Sequence, residues 1–164
     1  MAGLLRNVAS RLGRITGGGP APARTPTSIP AQVARRRQVA ALQGRELAYA
    51  PELDGQADPG EIVWTWVPYE DDPRQGKDRP VLVVGRQSRT LFGLMLSSQG
   101  DRDGQRHWLA LGPGEWDREQ RPSWVRLDRV LTMREDSIRR EGAVLDRTRF
   151  DRVGRALRTG YGWR

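Results

Sequence analysis

The stretch PGEIVWTWVPYEDDPRQGKDRPVLVVG, Pro59 to Gly85, decides how the chain reads. Ile62, Val63, Trp64, Trp66 and Val67 form an apolar, β-prone run that Pro68 closes. Pro80 opens a second run, Val81 to Val84, and Gly85 ends it. β-Branched and aromatic residues bracketed by Gly and Pro are the signature of strands. Eleven residues, Tyr69 to Arg79, separate the two runs. Hairpin loops usually take about two to five residues, and a longer polar loop is more often a working part than a plain connection. This loop delivers Arg79 to the start of the second strand, where rigid backbone would hold a guanidinium in place. Read alone, a charged residue ahead of a strand proline is equally an ordinary solvated group.

Toward the C-terminus, Leu91 to Ser97 (LFGLMLS) predicts a third strand and Gln99 to Gln105 (QGDRDGQ) a turn. His107 to Leu111 predicts a fourth strand, and LGPGEW turns the chain again. Trp124 to Met133 reads as a fifth, with Val125, Leu127, Leu131 and Met133 on one alternating face broken by Arg129. A helical turn at 135–138 and a sixth strand or extended piece at Gly142 to Leu145 follow. The last element is an amphipathic helix. Asp146 or Thr148 can cap it, and Phe150, Val153, Leu157 and Tyr161 recur at helical spacing. Five or six short strands and one terminal helix predict a mainly β fold: a small, strongly bent antiparallel barrel with the helix packed on it.

Toward the N-terminus the texture changes, so residues 1–57 read as a basic extension and 58–164 as the barrel domain. Leu4, Leu5, Val8, Leu12 and Ile15 fall at helical spacing, with Arg6, Arg11 and Arg14 outside the stripe. That pattern fits a surface-seeking amphipathic helix, an Arg-rich targeting segment or a frayed tail. Thr16 to Pro30 is a Gly/Pro/Ser/Thr linker. Ala31 to Leu47 has helix-forming composition with a thin apolar face, which predicts a poorly packed helix or disorder. Tyr49 to Asp58 reads as a polar approach to the domain.

Composition narrows the chemistry. There is no Cys and only one His, so a thiolate nucleophile, a disulfide and a His-rich zinc site are excluded or disfavoured. No apolar run approaches the roughly 20 residues of a membrane helix. The expectation is a soluble, cytoplasmic protein with no membrane contact, no metal and no cofactor. The net charge is +8, and Lys77 is the only Lys. Basic charge favours phosphate-rich partners, and Arg grips phosphate bidentately as Lys cannot.

In this order and spacing, three pieces resemble the PemK/MazF family of toxins from bacterial toxin–antitoxin systems. They are PGEIVWTWVP with its charged loop and DRPVLVVG; LMLSSQ, Leu94 to Gln99; and VRLDRVLTM with the extended piece and helix that follow. The resemblance covers about Pro59 to Trp163 and leaves residues 1–57 outside. It implies an SH3-like barrel, a homodimer and a metal-independent endoribonuclease that cuts single-stranded RNA and is restrained by a cognate antitoxin. The family's catalytic Arg, just before the Pro of the second strand, lands on Arg79. Its catalytic hydroxyl residue, usually Thr, lands on Ser97. Ser98, Gln99, Trp66, Tyr69 and Lys77 are the expected RNA-binding residues around that pair. A loop Glu of some members falls near Arg74, so no acid carries over there.

The chemistry implied needs no metal. RNA supplies its own nucleophile, the 2′-OH beside the scissile phosphate, and in-line attack adds negative charge to phosphorus. An Arg fork and a hydroxyl can hold that charge. DNA lacks the 2′-OH and would bind at most. His107 reads either as an acid or base or as an exposed strand-edge residue. Trp64, Trp66, Tyr69 and Trp108 are candidates for base stacking, or equally core and interface anchors. Asp101 to Gly104 lacks the later ligands of a calcium loop and reads as a turn. Glu70–Asp71–Asp72 reads as a solvated loop. A second function class remains open at this level: a non-catalytic nucleic-acid- or protein-binding relative on the same barrel, gyrase-directed as another branch of the superfamily is.

Overall fold

The computed structural model describes residues 45–52 and 54–164. The predicted N-terminal amphipathic segment, the linker and the start of the Ala31–Leu47 helix lie outside them. The strands are β1 (Glu61–Pro68), β2 (Gly76–Gln87), β3 (Thr90–Ser97), β4 (Trp108–Gly112), β5 (Ser123–Arg134) and β6 (Ile138–Val144). Short 3-10 turns at Gly100–Arg102 and Glu135–Ser137 precede β4 and β6, and α1 (Arg147–Tyr161) ends the domain. All strand pairs are antiparallel, in the order β4-β5-β3-β2-β1-β6. The sheet curls into a half-barrel of the expected mainly β class, with the helix laid on it. Among the described residues no helix is long and apolar enough to cross a membrane.

Alternation divides the apolar residues between the two faces of the sheet. Ile62, Leu82, Val84, Leu94 and Leu96 point to one face, where Phe150, Val153 and Leu157 of α1 meet them. Val63, Val67, Val81, Val83, Leu91 and Met95 gather on the other. Each such side chain taken fully out of water contributes about 1.5–3 kcal/mol. Gly93 lets the second cluster close: a Cβ there would stand 2.4 Å from Val81 Cγ1 and 2.7 Å from Met133 Cε. Asp146 caps α1, accepting the Arg149 backbone N–H at 3.0 Å. Gly162, at φ 71°, ends the helix in the left-handed conformation that Gly adopts without steric cost.

Four expectations are corrected. First, the β1–β2 loop spans only 69–75, because Gly76 to Arg79 pair with Pro68 to Thr65. Backbone hydrogen bonds extend β2 through residues whose side chains carry no strand pattern. Second, β5 does not keep one face. Its pairing with β3 jumps from Leu94↔Val130 to Leu96↔Val125. This bulge sends Val125 and Leu127 to the helix-side cluster and Leu131 and Met133 to the other. Third, β6 begins at Ile138, earlier than its sparse apolar content suggests. Fourth, residues 45–47 are not helical and 49–58 are more than an approach. Leu47 N–H donates to Arg164 O, Ala48 N–H to Val84 O, and Arg164 N–H to Arg45 O. Tyr49 sets its ring 4.9 Å from Phe150 and donates its hydroxyl to Leu145 O at 3.0 Å. This strap packs Leu47 and Tyr49 against the core.

Candidate functional site

The site follows from strand register and one proline. Val81 faces Met95, Leu82 faces Leu94 and Val83 faces Gly93 across β2 and β3. The same register carried on places Arg79 opposite Ser97, but the ladder stops at Val81. Pro80 has no N–H to donate, so pairing ends where it stands. The two strands part there, each still held on its far side: Arg79 pairs with Thr65 of β1, and Ser97 with Trp124 of β5. Residues opposed in an antiparallel pair project to the same face. A guanidinium and a hydroxyl are thus brought together by two rigid strands at a split between them.

A cavity of about 190 Å³ occupies this split. Lys77, Asp78, Arg79 and Pro80 of β2 line it together with Leu96, Ser97, Ser98 and Gln99 at the end of β3. Trp64 and the β4–β5 loop, through Trp116, Asp117, Arg121 and Ser123, close the other side. Ser97 is buried, and its Oγ accepts the Gln99 backbone N–H at 3.3 Å. That bond fixes the oxygen and leaves the hydroxyl proton to be donated. Arg79 is half-buried, and no hydrogen bond or ion pair from another described residue holds its guanidinium. Burial pulls its pKa below the ordinary value, Tyr69 opposes this, and the neighbouring charge of Arg102 adds to it. Burial without a partner and the Arg102 charge both make the site more favourable to an incoming anion.

On its other side Arg79 lines a second cavity of about 400 Å³, with Tyr69, Glu70, Arg102, Trp108, Arg126 and Arg129 on its walls. Arg129 shares the alternating face of Leu131 and Met133 on β5, and its Nη2 donates to Pro68 O at 2.8 Å. Burial lowers the Arg129 pKa, Glu70 counters, and the Arg126 and Arg79 cations lower it further. Arg126 is tied down by Asp128 at 2.7 Å and by Glu70 at 3.0 and 3.2 Å. Arg102 lies over the Trp108 ring at 4.9 Å. The result is a basic wall with an aromatic face, continuous with Arg79.

Of the expected residues, Arg79, Ser97, Ser98, Gln99 and Lys77 share the split cavity, and Tyr69 lines the adjoining one. Trp66 lines neither and stands 47% exposed on β1. His107, at φ 73°, directs Nδ1 to Tyr161 Oη at 2.6 Å and lines neither cavity. The acidic loop is drawn into ion pairs, Glu70 with Arg126 and Asp72 with Arg74. Among the described residues no group of three or more His, Asp or Glu side chains is arranged to hold a metal ion. Sequence reasoning missed Asp117, Arg121, Arg102, Arg126 and Arg129. The signal available for the first two was the long polar connection between β4 and β5, read only as a turn.

Against known proteins, a family model described as PemK-like, MazF-like toxin of type II toxin–antitoxin system matches residues 58–160. No curated protein matches the chain. Among solved structures it is similar to an endoribonuclease in complex with its cognate antitoxin from mycobacterial species. The identity is 17%, over 66% of this chain and 96% of that one, and the TM-score is 0.49. An endoribonuclease from mycobacterial species also matches at 17% identity, over 68% of this chain and 97% of that one, with a TM-score of 0.49. A MazE–MazF structure from Deinococcus radiodurans matches at 18%, over 68% and 96%, with a TM-score of 0.47.

Proposed function

The chain belongs to the PemK-like, MazF-like toxins of type II toxin–antitoxin systems, and on that footing we propose that it is a metal-independent endoribonuclease acting on single-stranded RNA. The observation that carries this reading is the Arg79 guanidinium: half-buried, unpaired among the described residues, and lining one cavity with Ser97. Burying a cation without a partner is costly, so such a group favours an anion that arrives from outside.

The scissile phosphate sits in the split between β2 and β3. The 2′-oxygen of the RNA gives its proton to water and forms a bond to phosphorus as the bond to the 5′-oxygen breaks, and that leaving oxygen takes a proton from water. Negative charge grows on the non-bridging oxygens during the exchange. Arg79 holds two of these oxygens as a fork and the Ser97 hydroxyl donates to the charge, from positions fixed before substrate arrives. Lys77 and the basic wall beyond Arg79 take the flanking phosphates, and Tyr69 and Trp108 offer stacking faces at about 1–3 kcal/mol per base. The products are a 2′,3′-cyclic phosphate and a 5′-hydroxyl. The protein acts in the cytoplasm as a homodimer, and a cognate antitoxin restrains it by covering this basic surface.

Purified protein incubated with single-stranded RNA in EDTA should cut it and leave cyclic-phosphate ends. A 2′-deoxy substitution at the cleaved nucleotide should abolish that cut alone. Intact RNA, or cleavage that persists at the deoxy position, contradicts the reading.

A further inference from the structure

The split cavity extends past Arg79 and Ser97 to a wall that the phosphate chemistry does not use. At about 190 Å³ it falls short of the roughly 300 Å³ at which drug-sized pockets begin, yet it exceeds the needs of a phosphate alone. What remains is open to the edge of one planar base. Trp64 and Pro80, which face each other across β1 and β2, give it apolar sides. The far wall is polar and comes from the β4–β5 loop.

That wall is held in place before any ligand arrives. Trp64 Nε1 donates to Trp116 O at 3.3 Å, and Trp116 Nε1 donates to Ser123 Oγ at 3.1 Å. Asp117 N–H donates to Gly114 O at 3.1 Å, and Gln120 N–H to Asp117 O at 2.9 Å. Asp117 is buried, and its Oδ1 accepts the Glu119 N–H at 3.0 Å while its Oδ2 accepts Arg121 Nε at 2.8 Å. Each carboxylate oxygen retains room for one more donor. Burial acts to raise the Asp117 pKa, but the hydrogen bonds from Arg121 and Glu119 and the Arg121 charge outweigh it, so the group is ionised and only accepts. Arg121 is half-exposed and directs Nε to Asp117 and, at 3.3 Å, to Glu119 Oε2, which leaves its Nη groups for an acceptor.

We propose that Asp117, oriented by Arg121, reads the base of the nucleotide at Arg79 and selects bases carrying an exocyclic amino group over uracil. This rests on the reading that RNA occupies the Arg79 site. Adenine, cytosine and guanine each present amino hydrogens that a fixed carboxylate accepts, next to a ring or carbonyl acceptor for Arg121. Uracil presents one N–H flanked by two carbonyl oxygens, and those oxygens meet the carboxylate with like polarity.

The cleanest contrast is cytosine against uracil, which differ at one exocyclic group. Full-length protein is titrated with 2′-O-methyl trinucleotides CCC and UUU, which cannot be cut, and quenching of tryptophan fluorescence reports binding. The two carry equal charge, so attraction to basic surface elsewhere cancels in the ratio. CCC should bind about 10- to 100-fold more tightly than UUU. Asp117→Asn, which keeps an acceptor for the Glu119 N–H, should bring the ratio close to one. Arg121→Ala should weaken CCC more than UUU. Equal binding of the two by the wild-type protein, no binding of either, or an unchanged ratio in Asp117→Asn overturns the proposal. The ratio needs no cleavage. Selective binding without RNA cutting in EDTA would therefore remove the nuclease reading and leave this one standing.

Discussion

Arg79 and Arg86 lie on the same strand and meet opposite fates. Arg86, near the end of β2, is bonded several times over. Its Nη1 donates to Ala57 O at 2.9 Å, and its Nη2 reaches Glu135 at 2.9 and 3.0 Å and Gln56 Oε1 at 3.1 Å. It binds the segment before β1 to the turn before β6. Arg79, at the start of the strand, has no such partner among the described residues, although its guanidinium is half-buried. One arginine has both terminal nitrogens engaged by the fold. The other keeps its own available, and the difference comes from Pro80, where the ladder to β3 opens. In a chain this rich in arginine, composition cannot identify the functional cation; partial burial combined with unsatisfied donors can.

That contrast sets what mutations should do. Ser97→Ala removes the hydroxyl on Arg79's side of the comparison. The RNA cleavage rate should fall by about 10²-fold, with little change in melting temperature; an unchanged rate would detach Ser97 from the site. Arg86→Ala should do the reverse. Losing a partly buried, multiply bonded guanidinium costs about 1–2 kcal/mol, or several degrees in melting temperature, while the cleavage rate of the folded protein holds. A large loss of rate at full stability would erase the distinction between the two residues.

The smallest effect belongs to the helix cap. The Arg149 backbone N–H, with its side chain and charge, holds the Asp146 carboxyl below its ordinary 3.8 against the opposing effect of burial. The folded pKa is the lower one, so the stabilisation is present above about pH 4 and is lost as pH falls toward the folded value. Asp146→Asn keeps a capping acceptor, so at neutral pH it should lower the melting temperature by only a degree or two. The gap between wild type and variant should close below pH 4. A gap that stays constant from pH 7 to pH 3 would remove the carboxylate from the account.

Much of this architecture was legible in the chain. Runs such as VLVV and LFGLML announce strands because burial on a sheet needs branched and apolar residues at every second position or throughout. Spacing from Phe150 to Leu157 announces α1 for the same reason. What stayed hidden was held by backbone alone. Gly76 to Arg79 join β2 through main-chain pairing with β1, and their side chains carry no periodicity. The β5 bulge is likewise invisible, since Val125, Leu127, Leu131 and Met133 alternate in sequence whether or not the strand bends. The order of motifs singled out Arg79 and Ser97, and both line the split cavity of the candidate site. Asp117 and Arg129 were not, because the pairing and bending that bring them to the cavities arise only in three dimensions. Trp66 was expected among the RNA-binding residues for its aromatic ring, and the strand leaves it outside both cavities.

The most direct test is the single-turnover rate at which Arg79→Ala cuts a single-stranded RNA in EDTA, with its melting temperature measured beside it. A guanidinium left unpaired to meet the charge of the reacting phosphate predicts a fall of about 10²–10³-fold at essentially unchanged stability. A rate within about threefold of the wild type, or a loss explained by unfolding, contradicts it.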